Sequence, residues 1–178
     1  MTNRTLILWR HAKSAWDDAN LQDYDRPLAP RGLRAAPLMA RWIQKNCPGP
    51  DAIICSPARR ARQTLQAYLS VTEDASLTVR LLPIIYEATP VAIINEVKEC
   101  KDAKTVLLVG HNPSLQDLAL QSLRESAFGQ PEAHRLIKKF PTAAACVLQV
   151  QGTWNDLKRG SAKLIAFTRP KDLDEWRA

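Results

Sequence analysis

Several features are scarce in this chain, and each scarcity removes a class of protein. No apolar run approaches the roughly 18 residues needed to cross a bilayer, so no membrane-spanning helix is expected. The opening "MTNRTLILWRH" has too short an apolar segment and the wrong flanks for a secretory signal, which makes the cytoplasm the expected compartment. The four cysteines, Cys47, Cys55, Cys100 and Cys146, form no C-x-x-C pair. Cys55 and Cys146 lie inside apolar runs, where a free thiol acts as a small hydrophobe, so a reduced state fits better than a disulfide framework. The net charge of +7 favours anionic partners. The basic residues are dispersed, and no tract interleaves them with aromatics as a single-strand binding surface would, so nucleic acid is disfavoured. Repeats, linkers and low-complexity tracts are absent too. The length suits one domain, residues 1–178, burying about 70% of its unfolded surface.

Histidine is also rare, with three in the chain. One of them ends an apolar run in an unexpected way: "LILWRHAKSAW" passes from Leu6-Ile7-Leu8-Trp9 directly to Arg10-His11. The run belongs in a core, so the pair at its end is either released to solvent or held for a purpose.

Strand-like runs occupy residues 5–9, 52–55, 77–82, 105–109, 144–150 and 163–168. Helical segments of about 10–16 residues separate the first four. Leu38, Met39, Trp42 and Ile43 share one helix face, as do Ala61, Leu65, Tyr68 and Leu69. Ser56-Pro57, Thr89-Pro90 and Asn112-Pro113 each read as an N-cap followed by proline at the first helical position. This alternation predicts an α/β three-layer sandwich, with a largely parallel central sheet flanked by helices. Only "QGTWNDLKRGS" separates the last two strands, so a hairpin-like connection and a mixed sheet are expected there. Residues 17–32 read as a long loop after the first strand, and residues 124–142 as an irregular basic insertion. Loops of this length are often lids or binding loops.

Open α/β sheets bind ligands at the carboxyl ends of their strands. Those ends here carry Arg10-His11, then Ser56 with Arg59, Arg60 and Arg62, then Tyr86-Glu87, then Gly110-His111-Asn112. Each piece alone has a bland reading: a structural histidine, a solvated basic helix face, a surface carboxylate, a tight strand-to-helix turn. The turn accounts for Gly110, Asn112 and Pro113 but leaves His111 unexplained. Together they set two histidines and several arginines beside helix N-termini, which favour anions. The chemistry indicated is the handling of phosphoryl groups.

These residues carry a resemblance. "LWRHAKSAW" resembles the R-H-G/A-x-S/T signature of the histidine phosphatase superfamily, the phosphoglycerate mutase-like group, and "SPARRARQT" resembles its S-x-x-x-R-A-x-x-T motif. "VGHNP" resembles the second-histidine motif, and "YDRPLAPRG" the loop of the short phosphohistidine phosphatase branch. The resemblance implies that His11 is the phosphate-accepting nucleophile, with Arg10, Arg60 and His111 as phosphate ligands. It also implies that Ser14 lies in the phosphate pocket, with Asn112 a further candidate substrate contact. Glu87 falls where many relatives place a proton donor. The implied activity is hydrolysis of phosphohistidine through a covalent phosphohistidine intermediate.

First principles agree with that mechanism. An imidazole attacks only through an unprotonated nitrogen, and Arg10 and Arg60 would disfavour protonating His11 while gripping phosphoryl oxygens. No metal-ligand spacing appears, so neither a metal nor another cofactor is called for. A cysteine-based phosphatase would need C-x5-R, but four residues separate Cys55 from Arg60 and six separate it from Arg62. That loop also lacks the required glycines. The expected partner is a phosphorylated protein or a small phosphorylated substrate. The readings left open are a broad phosphomonoesterase of the same superfamily and, from another class, a non-catalytic phosphate-binding or nucleic-acid-binding module.

Overall fold

The computed structural model describes residues 2–72 and 77–176. Within them the chain runs β1 (Asn3–Arg10), α1 (Pro30–Asn46), β2 (Ala52–Cys55), α2 (Arg59–Leu69), β3 (Thr78–Leu81), α3 (Pro90–Lys98), β4 (Thr105–Gly110), α4 (Ser114–Ser122), α5 (Pro131–Lys138), β5 (Ala145–Gln151) and β6 (Ala162–Thr168). The strands form a six-stranded sheet in the order β3-β2-β4-β1-β5-β6. β1, β2, β3 and β4 pair in parallel, while β5 joins β1 and β6 joins β5 antiparallel. The expected α/β fold and mixed sheet are present, with the last two strands forming the hairpin.

The apolar run of β1 is explained by its central place. Leu6 and Leu8 face a core built with Ile93 and Val97 of α3, Leu115 and Leu118 of α4, and Leu136 of α5. Ile7 and Trp9 point the other way, into a core with Met39 and Ile43 of α1 and Leu65 and Tyr68 of α2. A strand covered on both faces needs apolar residues at every position, not at alternate ones. All four side chains have 0% exposure, and burial of each contributes about 1.5–3 kcal/mol.

Three local expectations need correction. Of the three N-cap assignments only Thr89 holds: its side chain accepts from the Ala92 amide, with Pro90 opening α3. α2 starts two residues later than expected, after Ala58, and α4 starts at Ser114 after a cis Asn112-Pro113 bond. The Ser56 and Asn112 side chains are drawn instead into contacts with His111 and with Gln116 and Phe140. The segment 17–32 is not loop throughout, because Pro30 already begins α1. Residues 124–142 are not irregular either: a 3-10 turn at Glu125–Gly129 leads into α5, whose Leu136 is fully buried. That helix is short and its apolar face narrow, so its periodicity is masked by flanking charges.

One glycine joins α1 to the end of β1. A Cβ on Gly32 would lie 2.2 Å from the Lys13 carbonyl oxygen. That same oxygen accepts from the Ala29 amide at 2.8 Å, so the backbone has little room to withdraw. Alanine would gain about 0.5–1 kcal/mol of helix propensity, but forcing the contact costs typically 1–3 kcal/mol. Gly32→Ala is therefore expected to lower the midpoint of urea unfolding; an unchanged or raised midpoint would show that the close approach is not a constraint.

Candidate active site

The end of β1 is held from both sides. The His11 amide donates to the Gly110 carbonyl at 3.0 Å, continuing the pairing with β4. On the β5 side, the Ala143 amide is shared by the Arg10 and His11 carbonyls at 3.1 Å each, and the Ala143 carbonyl accepts from the Trp9 indole at 2.9 Å. Ala143 adopts φ 64°, the left-handed region that a residue with a Cβ rarely occupies. The clamp therefore retains a strained residue at the strand end.

The His11 ring is oriented by its immediate neighbour. Its Nδ1–H donates to the Ala12 carbonyl at 2.7 Å, which leaves Nε2 with a lone pair. That nitrogen accepts from Arg60 Nε–H at 3.3 Å. Burial pushes the His11 pKa down to about 3, and the charges of His111, Arg60 and Arg10 reinforce the shift against the opposing Ala12 hydrogen bond. The ring is neutral at pH 7, with its basic nitrogen facing a cation.

Arg60 comes from the first turn of α2 and is buried, whereas its neighbours Arg59 and Arg62 are exposed. Thr64, one turn on, donates to the Arg60 carbonyl at 2.7 Å and accepts from the Ala12 amide at 3.0 Å. This hydroxyl ties α2 to the residue after His11. The Arg60 guanidinium reaches His111 Nδ1 at 3.4 Å as well as His11. Since guanidinium only donates, Nδ1 of His111 is the acceptor. The proton of the neutral ring therefore lies on Nε2, donated to Ser56 Oγ at 2.7 Å. Burial, aided by Arg60, lowers the His111 pKa to about 4. The two imidazole rings lie 4.9 Å apart, centroid to centroid.

Arg10 donates to the Phe140 carbonyl at 2.8 Å, and its Nε is buried without a partner among the described residues. Burial, then the charge of Arg60, lowers its pKa. Asn112 uses its amide group to donate to Gln116 at 3.1 Å and to the Phe140 carbonyl at 3.2 Å. Its Oδ1 is buried without a partner among the described residues. Ser14 is buried, and its backbone bridges to Leu28.

Arg10, His11, Ser14, Arg60, Glu87, His111 and Asn112 all line one cleft of about 300 Å³. Glu87 is exposed at its rim and makes no hydrogen bond or ion pair among the described residues. The carboxylate that does reach the centre is Asp23, from the loop after β1. Its Oδ2 accepts from Arg60 Nη2 at 2.9 Å and from the Tyr86 hydroxyl at 2.7 Å, and its backbone carbonyl also accepts from Arg60. The Tyr86 hydrogen bond, aided by the charge and hydrogen bond of Arg60 against partial burial, holds the Asp23 carboxyl below its usual range. Asp23 and Thr64 were not singled out by sequence, and Ser56, placed at a strand end, was read as a helix cap rather than as the partner of His111. Thr64 stands inside the "SPARRARQT" motif, which was the signal available. Cys55, the rejected alternative nucleophile, is buried in the core with its thiol pKa pushed up to about 12. Among the described residues, no three His, Cys, Asp or Glu side chains converge as a metal-ligand set.

The model of the histidine phosphatase superfamily (branch 1) matches residues 6–89. An uncharacterized protein of Mycobacterium tuberculosis is 42% identical over 91% of this chain and 99% of its own length. Among solved structures, a candidate phosphohistidine phosphatase SixA from Nakamurella multipartita superposes with a TM-score of 0.82 at 32% identity, covering 96% of this chain and 98% of that one. A second candidate SixA, from Agrobacterium tumefaciens, gives 0.76 at 28% identity, covering 94% and 98%. The matched segment carries Arg10, His11 and Arg60, and the structural likeness runs nearly the full length of the fold: the chain is a phosphatase of the histidine phosphatase superfamily.

Proposed function

We propose that this phosphatase hydrolyses phosphohistidine through a phosphorylated His11, without a metal. The observation that carries the reading is the hydrogen-bonding state of His11, whose Nδ1–H is held by Ala12 while Nε2 stays unprotonated beside Arg60. Such a nitrogen is a ready nucleophile at pH 7. The likeness to two SixA structures above 25% identity supports the substrate class. In the first step Nε2 of His11 bonds to phosphorus as the phosphorus–nitrogen bond of the substrate breaks. The released imidazole nitrogen takes a proton from solvent. Water then attacks phosphorus, the bond to His11 breaks, and orthophosphate leaves.

The surrounding cations take the equatorial oxygens. Arg60 and Arg10 supply donors, Arg60 giving up its contact with Asp23 to do so. His111 is neutral in the resting site, with its lone pair toward Arg60. A bound phosphoryl dianion supplies the negative charge that stabilises a proton on Nδ1, turning that atom into a donor. Ser56 keeps the ring oriented throughout. Glu87 sits at the cleft rim, where it favours the second reading, a phosphomonoesterase that protonates an alkoxide.

The discriminating experiment compares a phosphohistidine protein with alkyl phosphates, for the wild type and Glu87→Gln. Alkoxide departure needs an acid worth about 100- to 10,000-fold, whereas imidazole, with a pKa of about 6.5, leaves readily once protonated. The expected result is preference for phosphohistidine, retained in the mutant, with an acid-labile phosphoenzyme that His11→Ala abolishes. Equal collapse on both substrates would favour the phosphomonoesterase. An acid-stable adduct would exclude the nucleophile assigned here.

Among the arginines of α2, only the buried one should matter. Arg60→Ala is expected to lower kcat/KM on the order of 100-fold or more, as loss of a transition-state donor does. Arg59→Ala and Arg62→Ala should stay near wild type. Comparable losses at all three would mean that a diffuse positive field, not a directed guanidinium, assists the reaction.

The depressed histidines also predict how stability varies with pH. Both have folded pKa values, about 3 and about 4, below that of an unfolded histidine. The unfolded chain therefore binds more protons as pH falls below about 6.5, and stability drops with acidification by up to about 1.36 kcal/mol per pH unit for each histidine. Above pH 6.5 this contribution is fully present. His11→Asn should flatten the acid limb of unfolding free energy against pH, measured by urea titration; a slope equal to wild type would contradict the buried neutral ring.

A further inference from the structure

A second cleft, of about 400 Å³, adjoins the catalytic one, and Lys13 and Thr142 line both. Seven of its twelve lining residues are lysine or arginine, and none is acidic. The cations come from separate parts of the chain: Lys13 after β1, Arg31 in the first turn of α1, Lys138 and Lys139 at the end of α5, and Lys171 after β6. Its apolar surface is supplied by Ala35, Pro141, Pro170 and Trp176. Part of the basic character is already neutralised, since Arg135 pairs with Glu132 at 3.0 Å and Arg169 with Asp172 at 2.6 Å. Lys13, Lys138, Lys139 and Lys171 are exposed and have no ion pair among the described residues. The segment bearing Lys138 and Lys139 is fastened to the active site, because the next carbonyl, that of Phe140, accepts from Arg10 and Asn112.

We propose that this cleft binds an acidic stretch of polypeptide next to the phosphorylated residue, so that the enzyme selects phosphoproteins with carboxylates flanking the scissile group. The inference rests on the phosphohistidine reading above and refines it. The distribution of charge favours dispersed carboxylates over one further phosphate. A compact dianion calls for converging, planar donors, yet two of the three arginines that line the cleft are engaged by their own acids. Apart from Arg31, which lies over the Trp176 ring, the free cations are lysines, hydrated point charges on flexible stems, spaced along a groove that adjoins the catalytic cleft. The proline, alanine and tryptophan surface offers contact to an extended backbone. Lysines at such a rim steer and hold an anionic partner without touching the reacting atoms.

The test compares phosphohistidine peptides flanked by glutamates or by glutamines, using wild type and the triple variant Lys138→Glu, Lys139→Glu, Lys171→Glu. Wild type should prefer the glutamate-flanked peptide by on the order of tenfold in kcat/KM, a sum of several modest surface charge contributions. That preference should fade at high salt. The triple variant should lose it through KM, with kcat unchanged, and a triple glutamine variant should fall between. Turnover of free phosphoramidate should be the same in all three proteins, which controls for folding and for the catalytic centre. Equal treatment of both peptides by wild type would overturn the proposal, as would equal damage to phosphoramidate. So would a retained peptide preference accompanied by lost activity on a small bisphosphorylated compound, or by lost binding of single-stranded DNA. An unphosphorylated glutamate-rich peptide, titrated calorimetrically, separates this inference from the substrate assignment. If it binds wild type but not the triple variant while no phosphohistidine is hydrolysed, the groove stands and the substrate reading falls. If hydrolysis proceeds and the peptide fails to bind, the groove falls.

Discussion

The site depends on the register of one parallel strand pair. β1 and β4 align so that Arg10 lies opposite Gly110, and the residues that follow, His11 and His111, therefore emerge side by side. A slip of one residue would send each side chain to the other face of the sheet. Register is held by burial: Leu6, Ile7, Leu8 and Trp9 have 0% exposure, as do Val106, Leu107, Leu108 and Val109 opposite them. Shifting either strand would exchange the contents of two packed cores, a penalty spread over many large side chains. The placement of the two histidines thus depends on apolar packing as well as on their own hydrogen bonds.

Between the two rings, Arg60 acts as both positioner and electrostatic control. It donates to His11 and His111 and is itself anchored by Thr64 and Asp23. Burial together with neighbouring cations keeps both imidazoles neutral. A cluster of this kind is unfavourable by itself, since cations and desolvated donors crowd one another, and Asp23 relieves part of that cost in the resting site. In the proposed reaction a bound phosphoryl group would relieve more of it, since its negative charge would face the same cations.

The connections between elements give the site its walls. The loop after β1 carries Asp23 to Arg60, then returns through the Ser14–Leu28 bridge into α1, where Gly32 permits close contact with Lys13. On the opposite side, the end of α5 brings the Phe140 carbonyl to Arg10 and Asn112, and Ala143 clamps the end of β1. These two segments also border the basic groove, so that surface is built by the same stretches of chain that align His11.

The residues that converge in the cleft were legible in the chain itself. Arg10, His11, Arg60 and His111 stand at strand and helix boundaries in patterns that packing alone does not require, and the alternation of apolar runs indicates which ends they occupy. The helix around Leu136 was not legible, because a short amphipathic segment between charged residues reads like a loop. The capping roles of Ser56 and Asn112 were misread for a related reason: local preference favours capping, and a buried histidine and a nearby carbonyl outbid it. Asp23 could not be found from sequence, since nothing in a polar loop marks which carboxylate will fold back onto an arginine 37 positions away. Local sequence determines which groups are chemically able and which strands must be buried. Only tertiary structure decides which of those groups meet, because register, loop closure and desolvation depend on the whole packed chain.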